Sequence, residues 1–510
     1  MTGQNAPGAL PFEGASHVRA SRGVANAVCL TAAIAAVLVA VVGVGPLHAQ
    51  PGLTLKEAIA LSQRQGLLAR GAQDARESAR ARNHGFFAGY LPQFSIFGTT
   101  PNYRRSISPV IQPDGTTLYR PLQETDAGLT GSVQQNIPWT NTTVQLQSGL
   151  SQVNVAGDQG FRTWSSTPFS FIITQPVLRA NSQAWDIKEQ GLRFESSERK
   201  YIEAREDVAI GTTNAFFDLY AARVTLANAE KNAAVNDTLY TLNKGRLEVG
   251  KIGENDLLQS ELALLRARSA FDDAKLAYER VLSTFRIAVN VPPGTPLDII
   301  VNSDVPAFEA DPSLAMEQAR LHASTFTDAE ASEVHADRSV SEARWNTGAG
   351  GTLSASYGYN ATAATAPAAY KNLLDAQRLQ FQVQVPIWLW GVHSAAVEAA
   401  KADRSSARSA AQLTRVQMSE NARFAALQLT QARRTLTISA KADTVAAKRF
   451  EVAYNRYVIG KIAIDNLYIA QNEKDQALQS YVQALRGYWS AYYVLRRLTL
   501  YDFEASQPIR

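Results

Sequence analysis

The chain has 510 residues, and its 50 lysines and arginines exceed its 46 acidic residues by a formal net charge of only +4 at pH 7. So small an excess does not indicate a nucleic-acid partner, and the zinc-finger, RNP and basic-helix signatures are absent. The single cysteine, Cys29, falls in an apolar leader, so the rest of the chain offers no disulfide, thiolate metal site or cysteine nucleophile.

The beginning of the chain has the pattern of a secretory leader. Residues 24–44 are almost wholly apolar, follow Arg19 and Arg22, and precede the small residue Ala49. This pattern predicts a signal peptide over residues 1–49 that is cleaved after Ala49. An uncleaved membrane anchor is the alternative, because about 20 apolar residues can span a bilayer. Beyond residue 50 no apolar stretch is long enough for a membrane helix, so any membrane location has to come from strands.

After the leader, the first half of the chain predicts a helix followed by strands. Thr54-Leu-Lys-Glu57 is a capping box, which predicts a helix that runs to about Asn83. Several prolines and the Pro113-Asp-Gly115 turn predict a surface loop over residues 99–125. Alternating patterns predict a short strand near Phe94 and three further strands, Leu129–Ile137, Thr143–Val155 and Phe169–Gln175.

A helical hairpin is predicted from a long stretch without proline, residues 181–248. At about 1.5 Å per residue this helix would be roughly 100 Å long, which indicates coiled-coil-like packing. Gly250 lies at the turn, and a return helix is predicted from Glu254 to about Ala288.

The second half predicts the same order with fewer strands. Asp311-Pro312 is an N-cap followed by a first helical residue, and this helix is expected to end near Trp345. Two alternating strands follow, at residues 353–360 and 380–385. After them come a long helix over residues 393–457, a turn at Gly460 and a return helix.

The clearest repeated motif lies at the tip of each hairpin. Arg246-Leu-Glu-Val-Gly250-Lys-Ile252 recurs as Arg456-Tyr-Val-Ile-Gly460-Lys-Ile462, at an offset of 210 residues. The helix starts are offset by about 258 residues instead, so an insertion of roughly 48 residues is expected in the first repeat. The predicted organisation is therefore two tandem repeats, residues 50–300 with a β insertion at about 108–160, and residues 301–510.

Several of these motifs together resemble the outer-membrane efflux protein family, the TolC-like exit ducts of Gram-negative bacteria. The resemblance covers residues 50–503. Its specific parts are Leu53-Thr-Leu-Lys-Glu-Ala58-Ile, the strand-to-helix junctions at Pro176 and Pro386, both Gly-Lys-Ile tips, and Asn455-Arg-Tyr-Val-Ile-Gly460 followed by Ile469-Ala-Gln471.

The resemblance implies a mainly α-helical fold with a membrane β-barrel portion. It implies a homotrimer in which each chain gives four strands to a shared twelve-stranded barrel in outer-membrane lipid, while the helices form a periplasmic α-barrel. The tips are expected to contact a periplasmic adaptor that couples the duct to an inner-membrane pump. The implied function is a passive exit duct of a tripartite efflux or type I secretion system, with no cofactor and no reaction of its own.

The resemblance also assigns roles to residues at the two tips. Adaptor docking is expected at Arg246, Gly250, Lys251, Ile252, Arg456, Gly460, Lys461 and Ile462, although solvated charge at a helix end is the simpler interpretation. Gate or constriction candidates are Asp256, Tyr457, Asp465 and Asn466, and ordinary solvation of the tips is the alternative for the two carboxylates. Tyr457 matches a tyrosine that can bond to Asp256, whereas Asn466 and Ile469 stand where known members have acids, and Ile462 where they have an arginine.

The strands separate polar from aromatic side chains. Ser354, Ser356, Gln380, Gln382 and Gln384 are expected to line a water-filled lumen. Phe94, Phe171, Tyr357, Tyr359 and Phe381 are expected to face lipid, with Trp388 and Trp390 at the inner membrane boundary. Packing inside a soluble β-sandwich is the alternative.

Two other classes of function remain open from the sequence. The first is a secreted or periplasmic coiled-coil structural protein with a small β-domain, which would be soluble without detergent. The second is a periplasmic hydrolase. The chain beyond the leader has only His84, His322, His335 and His393, and it lacks a zinc-protease motif, a phosphate-binding loop and a nucleophile elbow. No catalytic residue or metal ligand is therefore predicted.

Overall fold

The computed structural model of the chain describes residues 52–111, 113–157, 160–302 and 304–509. The predicted signal peptide over residues 1–49, with Cys29, lies outside these residues. None of the helices in the described part of the chain carries an apolar run long enough to cross a bilayer.

The first repeat consists of two short helices, four strands and a long helical hairpin. Its elements are α1 (Leu55–Gln65), α2 (Leu67–Ala88), β1 (Gln93–Ile111), β2 (Thr117–Ile137), β3 (Thr142–Ala156), β4 (Phe161–Val177), α3 (Ser182–Glu248) and α4 (Glu254–Val289). The two-residue strand Leu53–Thr54 before α1 pairs in parallel with Ile299–Ile300, which follows α4. This pairing joins the start of the repeat to its end.

The second repeat has the same order of elements but two strands between its helices. Its elements are α5 (Pro312–His322), α6 (Ser324–Asn346), β5 (Gly350–Ala363), a single 3-10 turn (Ala368–Tyr370), β6 (Leu374–Gln384), α7 (Val392–Val458) and α8 (Ile464–Thr499). The chain ends in a small antiparallel pair, Tyr501–Asp502 with Gln507–Pro508.

Side-chain caps begin both repeats, as the sequence predicts. At α1 the Thr54 backbone N–H donates to Glu57 Oε2 at 2.9 Å, and Thr54 Oγ1 accepts from the Glu57 backbone N–H at 3.4 Å. At α5 the Asp311 Oδ1 accepts from the Ser313 backbone N–H at 2.9 Å, and Pro312 is the first helical residue. Both predicted helix starts are confirmed.

The expectation of one continuous helix at the start of each repeat is wrong. Extended backbone at Gly66 separates α1 from α2, and extended backbone at Ala323 separates α5 from α6. The cause is visible in the second repeat, where the Ser324 backbone N–H and hydroxyl both donate to the Glu203 carboxylate, at 2.8 and 3.0 Å. A carboxylate on α3 thus caps α6, a tertiary contact that local sequence cannot reveal.

The long helices lie side by side. The helices α3 and α7 have 67 residues each, and at about 1.5 Å per residue each is about 100 Å long. Within the chain α3 packs against α4 and α8, and α8 packs against α7, so the order across this layer is α4–α3–α8–α7. The predicted boundaries of these helices agree with the structure to within a few residues.

The larger of two buried clusters in the described residues is formed by side chains of α1, α3, α4, α5, α7 and α8. The rings of Phe216 and Phe285 are fully buried there, with centroids 6.0 Å apart. Arg496 Nε of α8 donates to Glu206 Oε2 of α3 at 3.1 Å, and both side chains are largely buried. Because removing one partner of such a pair leaves a buried uncompensated charge, this contact links the two repeats strongly.

Six antiparallel strands form one sheet in the order β1-β2-β3-β4-β5-β6. The four strands per chain that the resemblance implies are therefore an underestimate, since the first repeat supplies four strands and the second supplies two. The additional strands β2 and β3 account for most of the predicted insertion at 108–160. The repeats are joined where β4 pairs with β5, with Thr174 opposite Ser354.

The stretch predicted as a surface loop, residues 99–125, is a long hairpin instead. Strands β1 and β2 pair from Gln93 opposite Gln134 to Ile111 opposite Thr117. The prolines are tolerated because each lies where a strand has one neighbour: Pro109 on the edge strand β1, and Pro121 in the part of β2 that precedes its pairing with β3. At such positions the missing N–H leaves no gap in a ladder of hydrogen bonds.

Candidate functional site

The two faces of the six-stranded sheet differ in chemistry. Successive side chains of a strand point to opposite faces, so the register determines which side chains share a face. Four successive partners on one face are Phe94, Val133, Leu146 and Phe171, and the neighbouring row on the opposite face is Ser95, Ser132, Gln147 and Ser170. One face is therefore rich in aromatic and aliphatic groups, and the other in hydroxyl and amide groups.

The polar side chains singled out in the second repeat lie together on the polar face. Ser354 is the register partner of Gln380, and Ser356 lies two residues further along the same strand. Gln382 and Gln384 lie two and four residues from Gln380 along β6, and so share its face. The structure thus brings these five residues to one surface, and their place along a lumen stays a prediction.

The aromatic residues predicted to face lipid lie together on the apolar face. Tyr357 is opposite Phe171 and Tyr359 is opposite Phe169, while Phe381 is opposite Leu353. These side chains are exposed in the single chain: Phe94 is 81% exposed and Phe381 is 60% exposed. A contiguous exposed apolar surface of this kind indicates contact with lipid or with another protein.

Aromatic side chains also cluster at the end of the sheet that meets the helices. The rings of Trp388 and Trp390, between β6 and α7, are mostly exposed and have centroids 5.3 Å apart. Trp139, in the turn between β2 and β3, is exposed at the same end. Asn181 Nδ2 donates to the Pro138 carbonyl at 2.9 Å and so holds this turn against the start of α3. The predicted position of both tryptophans at a membrane boundary is compatible with this arrangement.

The two hairpin tips have the same backbone geometry. Gly250 has a φ of +71° and Gly460 a φ of +76°, values that an L-residue with a side chain rarely adopts. At the first tip the Lys251 N–H donates to the Arg246 carbonyl at 2.8 Å, and at the second the Lys461 N–H donates to the Arg456 carbonyl at 2.8 Å. Together with the hydrogen bonds of the glycine N–H groups, this is a Schellman motif that ends each long helix.

The tips differ in how their side chains pack. Arg246 Nη2 donates to the carbonyls of Tyr457 and Val458, at 3.3 and 3.0 Å, and its guanidinium lies 5.2 Å from the Tyr457 ring centroid. Tyr457 is buried, and its hydroxyl donates to Asn243 Oδ1 at 2.8 Å. The hydroxyl of Tyr457 is thus bonded to Asn243, where the resemblance implied Asp256, because the Tyr457 ring packs in a buried cluster with Leu239, one turn before Asn243 on α3, and Leu467 of α8.

The remaining gate candidates lie in the first turns of the return helices. Asp465 is exposed in the first turn of α8 and accepts a hydrogen bond from Gln259 Nε2 of α4 at 2.6 Å. Asp256 is half-buried in the first turn of α4, and Asn466 is exposed next to Asp465. Both carboxylates are placed where the positive end of a helix dipole favours negative charge. Lys251 and Lys461 are exposed at the tips, and Ile252 and Ile462 are partly exposed beside them.

Solved structures with this arrangement exist, although no family model matches the chain and no curated relative matches it. The Campylobacter jejuni CmeC outer membrane channel is 15% identical, with a TM-score of 0.64 over 89% of this chain and 87% of CmeC. The outer membrane protein VceC of Vibrio cholerae is 12% identical, with a TM-score of 0.63 over 89% of this chain and 97% of VceC. The open state of the Neisseria gonorrhoeae MtrE outer membrane channel is 13% identical, with a TM-score of 0.60 over 87% of this chain and 88% of MtrE.

This chain has the fold of an outer-membrane channel. The resemblance inferred from the motifs is thereby confirmed at the level of the fold. This fold presents three chemically different surfaces, which are the apolar face of the sheet, its polar face and the cationic hairpin tips.

The channel fold also contains a polar cluster that the sequence did not predict. Between α3 and α8, Asp475 accepts hydrogen bonds from Asn228 Nδ2 and Asn232 Nδ2, both at 2.7 Å. It lines a cavity of about 460 Å³ that reaches Tyr468, where burial raises the pKa of the phenol to about 12. The spacing of Asn228, Asn232 and Asn236, at every fourth residue of α3, is the signal that could have revealed this polar stripe.

The channel fold brings no group of metal-ligating side chains together within the part of the chain that the structure describes. The predicted absence of metal ligands and catalytic residues stays a prediction. His335 Nδ1 is 3.1 Å from Glu189 Oε1, between α6 and α3, and this is a contact between helices.

Proposed function

We propose that this chain is an outer-membrane exit duct that acts as a homotrimer. In this proposal three sheets close one barrel in the outer membrane, and the helical hairpins continue the conduit into the periplasm. The duct is passive, and a periplasmic adaptor at the tips couples it to an inner-membrane pump. Its polar lumen is lined by Ser354, Ser356, Gln380, Gln382 and Gln384, and Asp256, Tyr457, Asp465 and Asn466 lie at the periplasmic constriction.

The observation that carries this proposal is the unclosed sheet with one apolar and one polar face. Strands β1 and β6 each have a neighbour on one side only in the single chain. If the sheet entered lipid alone, the unpaired backbone groups of these two edge strands would be exposed to hydrocarbon, at a free-energy cost of several kcal/mol each. Closure by further copies is therefore required. The alternation of apolar and polar side chains is the pattern that a barrel wall needs.

The tips support coupling to a partner through their exposed cationic side chains. Lys251 and Lys461 point into solvent from two equivalent turns, and Arg456 is exposed beside the second. A row of like charges repeated by threefold symmetry is suited to an acidic partner surface. CmeC and MtrE are outer membrane channels and VceC is an outer membrane protein, and the fold that this chain shares with them supports the same location.

Two neighbouring residues of β4 test the membrane part of the proposal. Phe171 lies on the apolar face and Ser170 on the polar face. Arginine on the lipid face of a barrel costs about 2–4 kcal/mol near the bilayer centre, whereas arginine in the lumen costs little. We expect Phe171→Arg to reduce insertion into vesicles strongly and Ser170→Arg to insert like the unsubstituted protein. Equal tolerance of both variants would contradict a lipid-facing surface.

The oligomer and the alternative function are tested on the same purified protein. We expect a detergent-dependent particle with three chains, measured by light scattering, that conducts ions in planar bilayers. A monomer that stays soluble without detergent would instead support the secreted coiled-coil structural protein.

Coupling is tested in cells that retain the native adaptor and pump. Loss of this chain is expected to sensitise the cells to exported compounds or to block secretion, and the unsubstituted gene is expected to restore the function. The double variant Lys251→Glu/Lys461→Glu should fail to restore it while reaching the membrane normally. Lys244→Glu, an exposed lysine on α3 before the tip, is the matched control. Full activity of the double variant would exclude docking by these lysines.

A further inference from the structure

The additional strands β2 and β3 are paired side by side with β1 and β4, as members of the same sheet. Gln134 is opposite Gln93 of β1 and opposite Gln145 of β3, and the rows continue from there into β4. Strand β1 is therefore separated from β4 by two complete strands. An insertion that covered the sheet from outside, or filled a lumen from inside, would leave β1 paired with β4.

The inserted strands also carry the two-sided pattern of the rest of the sheet. On the apolar face they present Val133 and Leu146, in line with Phe94 and Phe171. On the polar face they present Ser132 and Gln147, and the Ser132 hydroxyl is 2.8 Å from the Ser95 hydroxyl. Strands that touched only water would not need one continuous apolar face.

The repeat itself indicates how the edges of the sheet are completed. In this chain the last strand of the first repeat, β4, pairs with the first strand of the second repeat, β5. By the same rule, β6, the last strand of the second repeat, would pair with β1, the first strand of the first repeat, of a second copy. Thr174 is opposite Ser354, and the offset of 210 residues relates Thr174 to Gln384 on the polar face. The offset of about 258 residues relates Ser354 to the segment that contains Ser95 and Ile96. Ser95 is the polar-face residue of this segment, so pairing it with Gln384 keeps the two faces continuous between copies.

We propose that the inserted hairpin is a full section of the barrel wall, so that each chain contributes six strands and a trimer has an eighteen-stranded barrel. This inference rests on the proposed function, because it assumes closure by three copies. Barrel diameter increases roughly linearly with strand number, so the barrel is about one and a half times as wide as one with twelve strands. Barrels of 16–18 strands leave an open aqueous channel. The outer-membrane part is then a wide mouth, and the narrow part of the conduit lies elsewhere.

Counting strands in the reconstituted particle tests the proposal directly. The full-length protein in lipid nanodiscs is to be imaged by electron cryomicroscopy beside a variant that lacks residues 103–160, which would join β1 to β4 by a short turn. We expect eighteen strands in the full-length trimer and twelve in the shortened one. A full-length trimer with twelve strands in its wall and the hairpin outside it would overturn this inference and leave the proposed function intact. A particle that never enters lipid would instead overturn the proposed function.

Cysteine labelling gives an independent result if the shortened variant does not fold. In a Cys29→Ser background, single cysteines are introduced at Ser132 and Val133, which are neighbours on opposite faces of β2. We expect a membrane-impermeant maleimide to label the Ser132→Cys protein and a lipid-soluble maleimide to label the Val133→Cys protein. The same pair of probes at Ser356 and Tyr357, in the second repeat, is the reference for a wall strand. Labelling of both β2 variants by the impermeant reagent would place the hairpin outside the wall.

The edge pairing is tested by a double variant in the same background. Ser95→Cys/Gln384→Cys is expected to form disulfide-linked oligomers up to three chains on oxidation, while Ser95→Cys alone stays unlinked. If oxidation gives only a disulfide within one chain and no linked oligomers, the proposed pairing of β1 with β6 of another copy is wrong.

Discussion

The two hairpin tips share one turn geometry but have different surroundings. The Arg246 guanidinium donates to the carbonyls at the end of α7, whereas the guanidinium of Arg456, its equivalent in the repeat, is exposed and has no hydrogen-bond or ion-pair partner among the described residues. Leu467 is fully buried, whereas its equivalent Leu257 is only partly buried. The turn is therefore a property of the local motif, and the packing depends on which helices lie beside it. Within the chain α3 lies between α4 and α8, while α7 is at the edge of the layer.

The largest difference between the tips is expected for truncation of their equivalent leucines. Leu467→Ala should destabilise the second tip by about 2–5 kcal/mol, because a fully buried leucine leaves a cavity. Leu257→Ala, the matched variant at the first tip, should cost clearly less because its side chain is already partly in water. Hydrogen exchange of amides 455–470 and 245–260 measures the local free energy of opening. Equal losses would mean that the first tip is buried in the assembled protein.

The next effect concerns the hydrogen bond that only the second tip makes. Tyr457→Phe removes the donor to Asn243 Oδ1 and leaves a buried acceptor unsatisfied, which should cost about 1–3 kcal/mol. Tyr454→Phe is the control, because the Tyr454 hydroxyl makes no hydrogen bond with the described residues. Protection of the amides in α7 near the tip should fall for the first variant only. Unchanged protection in Tyr457→Phe would show that this hydrogen bond adds nothing.

The buried phenol below the second tip predicts a loss of stability in alkali. Burial raises the pKa of Tyr468 from 10.0 to about 12, so the folded chain retains the proton that the unfolded chain loses. Stability from this group is complete below pH 10 and declines as the pH rises from 10 to about 12. We expect the melting temperature of the helices to fall more between pH 9 and pH 11 in the unsubstituted protein than in Tyr468→Phe. The same fall in both proteins would rule out Tyr468 as the cause.

The smallest effect separates the two tip arginines. Arg246→Ala removes a cation from the negative end of the α7 dipole, which should cost about 0.3–1 kcal/mol, seen as faster exchange of amides 455–461. Arg456→Ala should have a smaller effect on these amides, since the exposed Arg456 guanidinium in the last turn of α7 makes no hydrogen bond with the described carbonyls. If Arg456→Ala had the larger effect on the same amides, the assignment of the cap to Arg246 would be wrong.

Features that depend on hydrogen bonds within a few residues were predictable. The Thr54 capping box, the Asp311 N-cap and the glycine turns at Gly250 and Gly460 all satisfy backbone groups next to them in sequence. The ends of the long helices followed from the positions of glycine and proline. The alternation of polar and apolar residues in β5 and β6 also placed side chains on the correct faces.

Features that depend on distant neighbours were not predictable. Proline clusters indicated a loop over residues 99–125, yet Pro109 and Pro121 are accepted because each strand has one partner at that point. Tyr457 was paired with Asp256 by resemblance, but the buried cluster that Tyr457 forms with Leu239 of α3 and Leu467 of α8 brings Asn243 to its hydroxyl instead. The break between α5 and α6 depends on Glu203, which is more than a hundred residues away in sequence.

The sequence by itself determined the order of elements in this protein, in which strands followed by a long helical hairpin occur twice, because periodicity, caps and turns are encoded in short segments. Tertiary structure alone decided that the sheet has six strands, that Phe94, Val133, Leu146 and Phe171 from four of them form one row on one face, and that the two tips are not equivalent. These properties arise from the register between strands and from the order of helices across the layer, and both are set by contacts between residues far apart in the chain.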